Sequence, residues 1–258
     1  MSILWKGICK RVKICLAATS DKSFCIEEIK KIDYMLESFY YIQDWQLPII
    51  KNCKMFLLDS GAFTFINNFK KKIDWKEYID KYADFINKNN IDYFFELDID
   101  VLVGYKKVKE YRNYLEKKVR KKCIPVWHKS RGLDEWVKLT KEYNYVGLGG
   151  IAIKEIKQSE HKYFKPLLQI AKKNRCKVHG LGFTNLKNLH KYDFYSVDST
   201  SWKSGGRFGQ LYIFNGKSLI QKSFADKRIV DYKKADMFNL KEWIKYQKYM
   251  DNKISKIL

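Results

Sequence analysis

Short runs of β-branched and aromatic residues recur along the chain, separated by longer stretches whose apolar residues fall at helical spacing. Eight runs predict strands: Val12–Ala17, Met55–Leu58, Tyr93–Leu97, Cys123–Trp127, Tyr145–Leu148, Lys177–Leu181, Phe194–Val197 and Gln210–Phe214. None is broken by polar alternation, the pattern of strands covered on both faces and therefore parallel, joined through crossover helices. Asp74 and Glu77 form a capping-box pattern, after which Trp75, Tyr78, Ile79, Tyr82, Phe85 and Ile86 share one helix face that reads as core. Asn239 opens a last predicted helix carrying Leu240, Trp243, Ile244, Met250, Ile254 and Leu258 on one face, interrupted by Gln247 and Asp251. This helix is expected across the outside or an end of the fold. Ser199–Gly209, rich in Ser and Gly, leaves the helix between the last two strands weak or missing.

Eight strands alternating with helices fit an α/β fold of the (β/α)8, TIM-like barrel class, with a doubly wound sheet as the alternative. A single domain is expected over 1–258, its barrel core at about 12–214 and a basic helical extension at about 217–258. In such a barrel, reactive groups gather at the C-terminal strand ends. Asp59, Asp98, His128, Gly149 with Gly150, Gly180 to Gly182, and Asp198 all lie at or just beyond those ends.

Charge adds a partner to this picture. The chain has 51 Lys and Arg against 29 Asp and Glu, a net charge of +22, which suits a polyanion. A Lys-, Ile- and Asn-rich composition inherited from an AT-rich genome is the other explanation. The excess is uneven, however: Lys106 to Lys122 holds nine basic residues against two acidic ones, and the stretch beyond Gly216 holds eleven against five. Lys106 and Lys107 in the first stretch are candidate phosphate contacts. Six cysteines without a C-x-x-C pair give no zinc spacing and imply reduced thiols, and no run is apolar enough to cross a bilayer. No metal, cofactor or membrane partner is therefore expected, and the expected location is the cytoplasm.

Candidate chemistry sits in five segments. Asp59-Ser60-Gly61-Ala62-Phe63 presents an acid at a strand end beside small residues, although an Asp capping the next turn would look the same. Glu96, Asp98 and Asp100 alternate, so an extended backbone would crowd three acids on one side. Such crowding suits a divalent cation, or a guanine edge whose N1–H and amine are both donors. Gly149-Gly150 offers unobstructed backbone amides, and His179-Gly180-Leu181-Gly182 repeats the device one strand later. Asp198 is followed by a loop in which Lys203 and Arg207 supply charge for a sugar-phosphate backbone, with a capped strand end and an ordinary loop as the plain alternative.

In series, these segments resemble the tRNA-guanine transglycosylase superfamily. Asp59-Ser60-Gly61-Ala62-Phe63 resembles its Asp-Ser-Gly-Gly-Phe/Tyr, and Phe94-Phe95-Glu96-Leu97-Asp98 resembles its strand ending in Phe-Asp. Gly149-Gly150-Ile151-Ala152-Ile153-Lys154-Glu155 is similar to its Gly-Gly-Leu-Ala-Val-Gly-Glu loop, and His179-Gly180-Leu181-Gly182 to its Met-Gly-Val-Gly turn. Asp198 with Lys203 to Gln210 is similar to its aspartate strand and downstream Arg-Ser-Gly-Arg-x-Gly-Gln. The resemblance implies Asp198 as nucleophile and Asp59 as general acid/base. It further implies Ser60, Gly61, Phe63, Asp98, His128, Gly149, Gly150, Gly180 and Gly182 around the base, with His128 near the position of the family's base-contacting glutamine. The family's zinc subdomain has no counterpart, since no cysteine follows Cys176 and no histidine follows His190. That departure favours the branch inserting 7-deazaguanine into DNA, which includes phage-encoded members. It implies DNA, single-stranded or locally melted, and a free 7-deazaguanine base as partners, with tRNA and a non-catalytic nucleic-acid binder as alternatives.

Overall fold

The computed structural model describes residues 12–65, 73–151, 155–183, 186–223 and 231–252. Its elements run β1 (Lys13–Ala17), α1 (Ile26–Ile29), β2 (Tyr34–Ser38), α2 (Leu47–Asn52), β3 (Met55–Asp59), α3 (Trp75–Asn89), α4 (Asp100–Val103), α5 (Tyr105–Val119) and β4 (Val126–Trp127). They continue with α6 (Gly132–Glu142), β5 (Tyr145–Leu148), α7 (Phe164–Lys173), β6 (Lys177–Gly180), β7 (Ser196–Ser199), α8 (Ser204–Phe208), β8 (Gln210–Phe214), β9 (Leu219–Ser223) and α9 (Tyr232–Asn252).

Strands β1 to β7 form one parallel sheet in the order β3-β2-β1-β7-β6-β5-β4. This is the cyclic order of a barrel cut open between β3 and β4, without the reversal of direction that a doubly wound sheet needs. Single bridges, Leu58 to Phe94 and Phe95 to Ile124, span the cut. The sheet is therefore a curled barrel wall of seven strands and not a closed barrel of eight.

Two expected strands are corrected. Tyr93–Leu97 contributes those bridges but no regular strand. Gln210–Phe214 has the expected bounds, yet it pairs antiparallel with β9 in a separate two-stranded hairpin. The seventh strand of the wall is β2, which the hydrophobic pattern misses because Glu37 sets a charge within it. Glu37 is nonetheless buried, its Oε1 accepting the Thr19 backbone N–H at 2.6 Å and the Thr19 hydroxyl at 2.5 Å.

Alternation along the parallel strands divides the core in two. Cys15, Ala17, Leu36, Leu57, Phe95 and Val126 pack together on one side of the wall. Ile14, Leu16, Met35, Leu58 and Phe94 join the helices on the other. At the N-terminal strand ends, the Tyr145 ring packs edge-on against Tyr93 and Tyr195, and Lys13 lies 4.0 Å above Tyr195. This aromatic floor leaves the opposite, carboxyl-terminal mouth for chemistry.

Helix α3 follows from its sequence: Asp74 Oδ1 accepts the Lys76 and Glu77 N–H groups, and Asn90 ends it in the left-handed region at φ 51°. Helix α9 begins at Tyr232, before the expected Asn239. Its polar interruptions are fastenings. Asn239 accepts the Tyr212 N–H at 2.8 Å and donates to the Gln210 carbonyl at 2.9 Å. Gln247 donates to the carbonyls of Ile14 and Tyr34 and accepts the Asp33 N–H. Both side chains are fully buried because they satisfy strand backbone that lacks a neighbour there. Among the described residues, no helix is long and apolar enough to cross a membrane.

Candidate active site at the strand ends

Because the seven strands are parallel, their carboxyl ends open on one mouth. Asp59 ends β3, His128 follows β4, Gly149 and Gly150 follow β5, and Asp198 is the third residue of β7. The Asp59 carboxylate accepts the Gly61 N–H at 2.9 Å. Gly61 itself has φ +72°, and a Cβ there would stand 2.6 Å from Tyr40 Cβ and from Ser38 Oγ, so only glycine fits this turn. Burial lifts the Asp59 carboxyl and the Gly61 N–H lowers it. The charges of Asp98 and Asp198 lift it again, to about 6. Asp98 and Asp198, carried by two other segments, therefore stand close enough to Asp59 to act on it.

Asp198 is held from one side. Its Oδ1 accepts the Gly182 N–H at 2.6 Å and lies 3.1 Å from His179 Nε2. Among the described residues both hydrogen bonds fall on Oδ1, and Oδ2 is engaged by neither group.

Asp98 faces His128, whose Nε2 lies 2.8 and 3.0 Å from the two Asp98 oxygens while Nδ1 lies 2.9 Å from Glu155. Burial pulls the His128 imidazole down, but Asp98 and then Glu155 outweigh it and raise it to about 9. At neutral pH His128 is thus an imidazolium between two carboxylates. Gly149 and Gly150 make room for this arrangement: a Cβ on the first would stand 2.8 Å from the His128 ring, and one on the second 2.7 Å from the Glu155 carboxylate.

The three alternating acids do not share one side. Glu96 is fully buried; it accepts Arg112 Nε at 2.6 Å and the Val126 N–H at 2.7 Å, and stands 3.2 Å from Arg131 Nη1. Arg131 Nε also donates to Asp100 at 3.1 Å, and its Nη2 lies 3.7 Å from Asp98. Asp98, Asp100 and His128 offer atoms within 4.8 Å of one another, a spacing open to a metal ion. Arg131 and His128 already neutralise those acids, and Glu96 is committed to the arginines. Glu96→Gln, which keeps the shape but removes the charge that two buried arginines need, is expected to cost about 2 kcal/mol in urea unfolding. An unchanged midpoint would show that the arginines find other partners.

Several expected site residues lie elsewhere. Lys203 is buried with its Nζ 2.9 Å from the exposed Asp21, so its charge is already paired and it is not a free phosphate contact. Gly180 faces Phe194 and Phe183 of the outer core, whereas its neighbour His179 packs on Phe95 within the wall. Ser60 is buried, its Oγ accepting the Ala62 N–H at 3.4 Å and its carbonyl the Tyr78 hydroxyl at 2.5 Å, so it shapes the turn. Lys106 and Lys107 are exposed near the start of α5, Lys107 paired with Glu110 at 2.6 Å. The side chains of Phe63 and Arg207, and residues 152–154, lie outside the described residues. Sequence reasoning missed Arg131, the bonding role of His179, and the pair Tyr40 and Tyr41, each 48% exposed, with Tyr40 beside Gly61. Arg131 and Tyr40 sit in loops without a motif, whereas His179 carried a signal in its alternation with Gly180.

No family model and no curated protein matches this chain. Among solved structures, one that it is similar to is an enolase protein from the environmental genome shotgun sequencing of the Sargasso Sea, at 6% identity and TM-score 0.43. The match covers 75% of this chain, which spans 56% of that protein's length.

Proposed function

We propose that the protein exchanges a guanine-type base in a nucleic acid through a covalent intermediate on Asp198, with DNA as the substrate. The observation that carries this reading is the convergence of Asp59, Asp98 and Asp198 on one mouth, with Asp198 Oδ2 open and Asp59 raised to about 6. In the first displacement Oδ2 attacks C1′, the glycosidic bond breaks toward the base nitrogen, and Asp59 delivers the proton that the departing guanine needs. In the second, the ionised Asp59 takes a proton from an incoming 7-deazaguanine, whose nitrogen attacks C1′ and releases Asp198. Two inversions retain the configuration. Asp98, held in place by His128, accepts hydrogen bonds from the donors of a guanine edge.

A base can reach this mouth only after leaving its stack, and neighbouring bases then need a surface. Tyr40 and Tyr41 supply exposed rings at the rim, 4.9 Å apart between centroids, while Lys106 and Lys107 offer charge. Replacing both tyrosines by alanine is expected to weaken single-stranded DNA binding about tenfold, given roughly 1–3 kcal/mol per stacked base. Unchanged affinity in fluorescence anisotropy would remove the stacking role.

The deciding experiment offers labelled guanine and, separately, a labelled 7-deazaguanine to the protein with parallel DNA and tRNA substrates. Label in DNA alone supports the proposal, and label in tRNA alone moves the substrate to tRNA. Label in neither, with binding intact, favours a non-catalytic nucleic-acid binder.

A further inference from the structure

Behind Asp198 runs a buried chain of polar side chains that the exchange reaction does not itself require. His179 on β6 and Ser196 on β7 are register partners in the parallel sheet. The His179 ring is 0% exposed. Its Nε2 lies 3.1 Å from Asp198 Oδ1, and its Nδ1 lies 2.5 Å from Ser196 Oγ. Ser196 Oγ in turn hydrogen-bonds the Tyr145 hydroxyl, and both residues are buried.

What each atom can donate sets the direction of every bond. An ionised carboxylate only accepts, so His179 Nε2 carries a proton. If Nδ1 is bare it accepts from the Ser196 hydroxyl, whose oxygen accepts from the Tyr145 phenol, and each proton is used once. An imidazolium would place three protons on two contacts: Nδ1–H would donate to Ser196, and of the serine and phenol protons only one could serve the bond between those hydroxyls. The other would then be stranded, because His179 and Tyr145 are the only side-chain partners of Ser196 Oγ, and Ser196 the only partner of the Tyr145 hydroxyl, among the described residues. A buried donor without an acceptor is costly, so the first arrangement wins.

We propose that His179 is the positioning residue of the nucleophile: a neutral imidazole, locked by Ser196 and Tyr145 with its proton on Nε2, that clamps Asp198 Oδ1 and turns Oδ2 toward the mouth. The function of the clamp rests on the reading of Asp198 as the nucleophile of base exchange. The bond order itself does not. Together with the Gly182 N–H it fixes the carboxylate without taking up the attacking oxygen, and it draws no proton from it.

The test has two arms. In ¹⁵N-labelled wild-type protein, long-range ¹H–¹⁵N correlation should show His179 as the Nε2–H tautomer at pH 7. A chain of only four histidines, compared with the His179→Gln spectrum, makes the assignment direct. Ser196→Ala should mix the two tautomers. In the second arm, His179→Leu should lower kcat about 10- to 100-fold, the loss of one hydrogen bond to a charged group, while KM for DNA stays within about threefold. His179→Gln, which can place an N–H where Nε2 stood, should recover about tenfold. An imidazolium or an Nδ1–H tautomer at pH 7, or a His179→Leu protein that folds with undiminished kcat, overturns the proposal. If His179→Leu does not fold, Ser196→Ala carries the kinetic arm, and an unchanged tautomer there with unchanged kcat has the same force. Failure of wild-type protein to exchange any base overturns the clamp's function through Asp198, and is told apart because the tautomer is read on the protein alone.

Discussion

Asp198→Ala is expected to abolish base exchange, by roughly a thousandfold or more, while leaving DNA affinity within about threefold. The size follows from what the proposed exchange loses: its bond-forming atom has no substitute, whereas the groups proposed to contact phosphate and stack bases lie elsewhere. Wild-type protein incubated with DNA and no acceptor base should retain label through denaturing electrophoresis, as an ester between Asp198 and the sugar, and the variant should not. Asp198→Asn refines the test. Its side-chain oxygen can still accept from Gly182 and His179, so it should fold and bind normally yet form no ester. Either substitution removes one of the charges that lift Asp59, so the Asp59 titration should move below its wild-type value of about 6 in both variants. Exchange that survives Asp198→Ala would displace the nucleophile to another group, and an Asp59 titration that does not move would separate the two acids in space.

The parallel wall was legible because its strands are buried on both faces and their apolar runs are continuous; β5 has the bounds that its pattern predicts. Where continuity failed, the expectation failed with it. Strand β2 hides behind Glu37, whose buried carboxyl is held by Thr19, a contact 18 residues away in sequence that no local window contains. Strand β8 misled in the opposite sense, since an apolar run need not join the main sheet. Its correction was available: Asn215-Gly216 is a hairpin signal, and the Asn215 side chain does accept the Lys217 and Ser218 N–H groups at the turn.

Acids at strand ends were legible individually, since a polar residue closing an apolar run has few structural reasons to be there. Their partners were not. Arg131 reaches Glu96 from 35 residues away, and the three acids that a strict alternation would crowd together are parted because the chain turns into α4 at Asp100. Lys203 looked like a surface cation because its loop is rich in small residues, yet Trp202 beside it is fully buried and donates to the Ala17 carbonyl, so the lysine is covered as well and its ammonium is paired with the exposed Asp21.

Asp59→Asn should have opposite effects on rate and on stability. In the proposed exchange, base departure needs protonated Asp59. With a wild-type titration near 6, formation of the covalent intermediate in single-turnover quench experiments should fall about tenfold per pH unit above that value. The asparagine variant should be slower by about 10²- to 10⁴-fold and independent of pH over the same range. For stability, the unfolded chain ionises Asp59 near its ordinary value of 3.8 while the folded chain, through burial first and then the neighbouring acids, holds the proton to about 6. The contribution of the protonated form is fully present below 3.8, declines as the unfolded chain ionises, and is lost as pH rises through 6. Asparagine has no proton to lose. Between pH 4 and pH 7.5 the wild-type protein should therefore lose stability relative to Asp59→Asn, by at most about 3 kcal/mol at 1.4 kcal/mol per unit. Urea unfolding at both pH values measures the difference. Parallel curves would mean that Asp59 titrates as an ordinary surface acid, and the assignment of the departing proton to it would fall. A gap that opens with pH, together with a rate that falls over the same interval, would tie both effects to one carboxyl group.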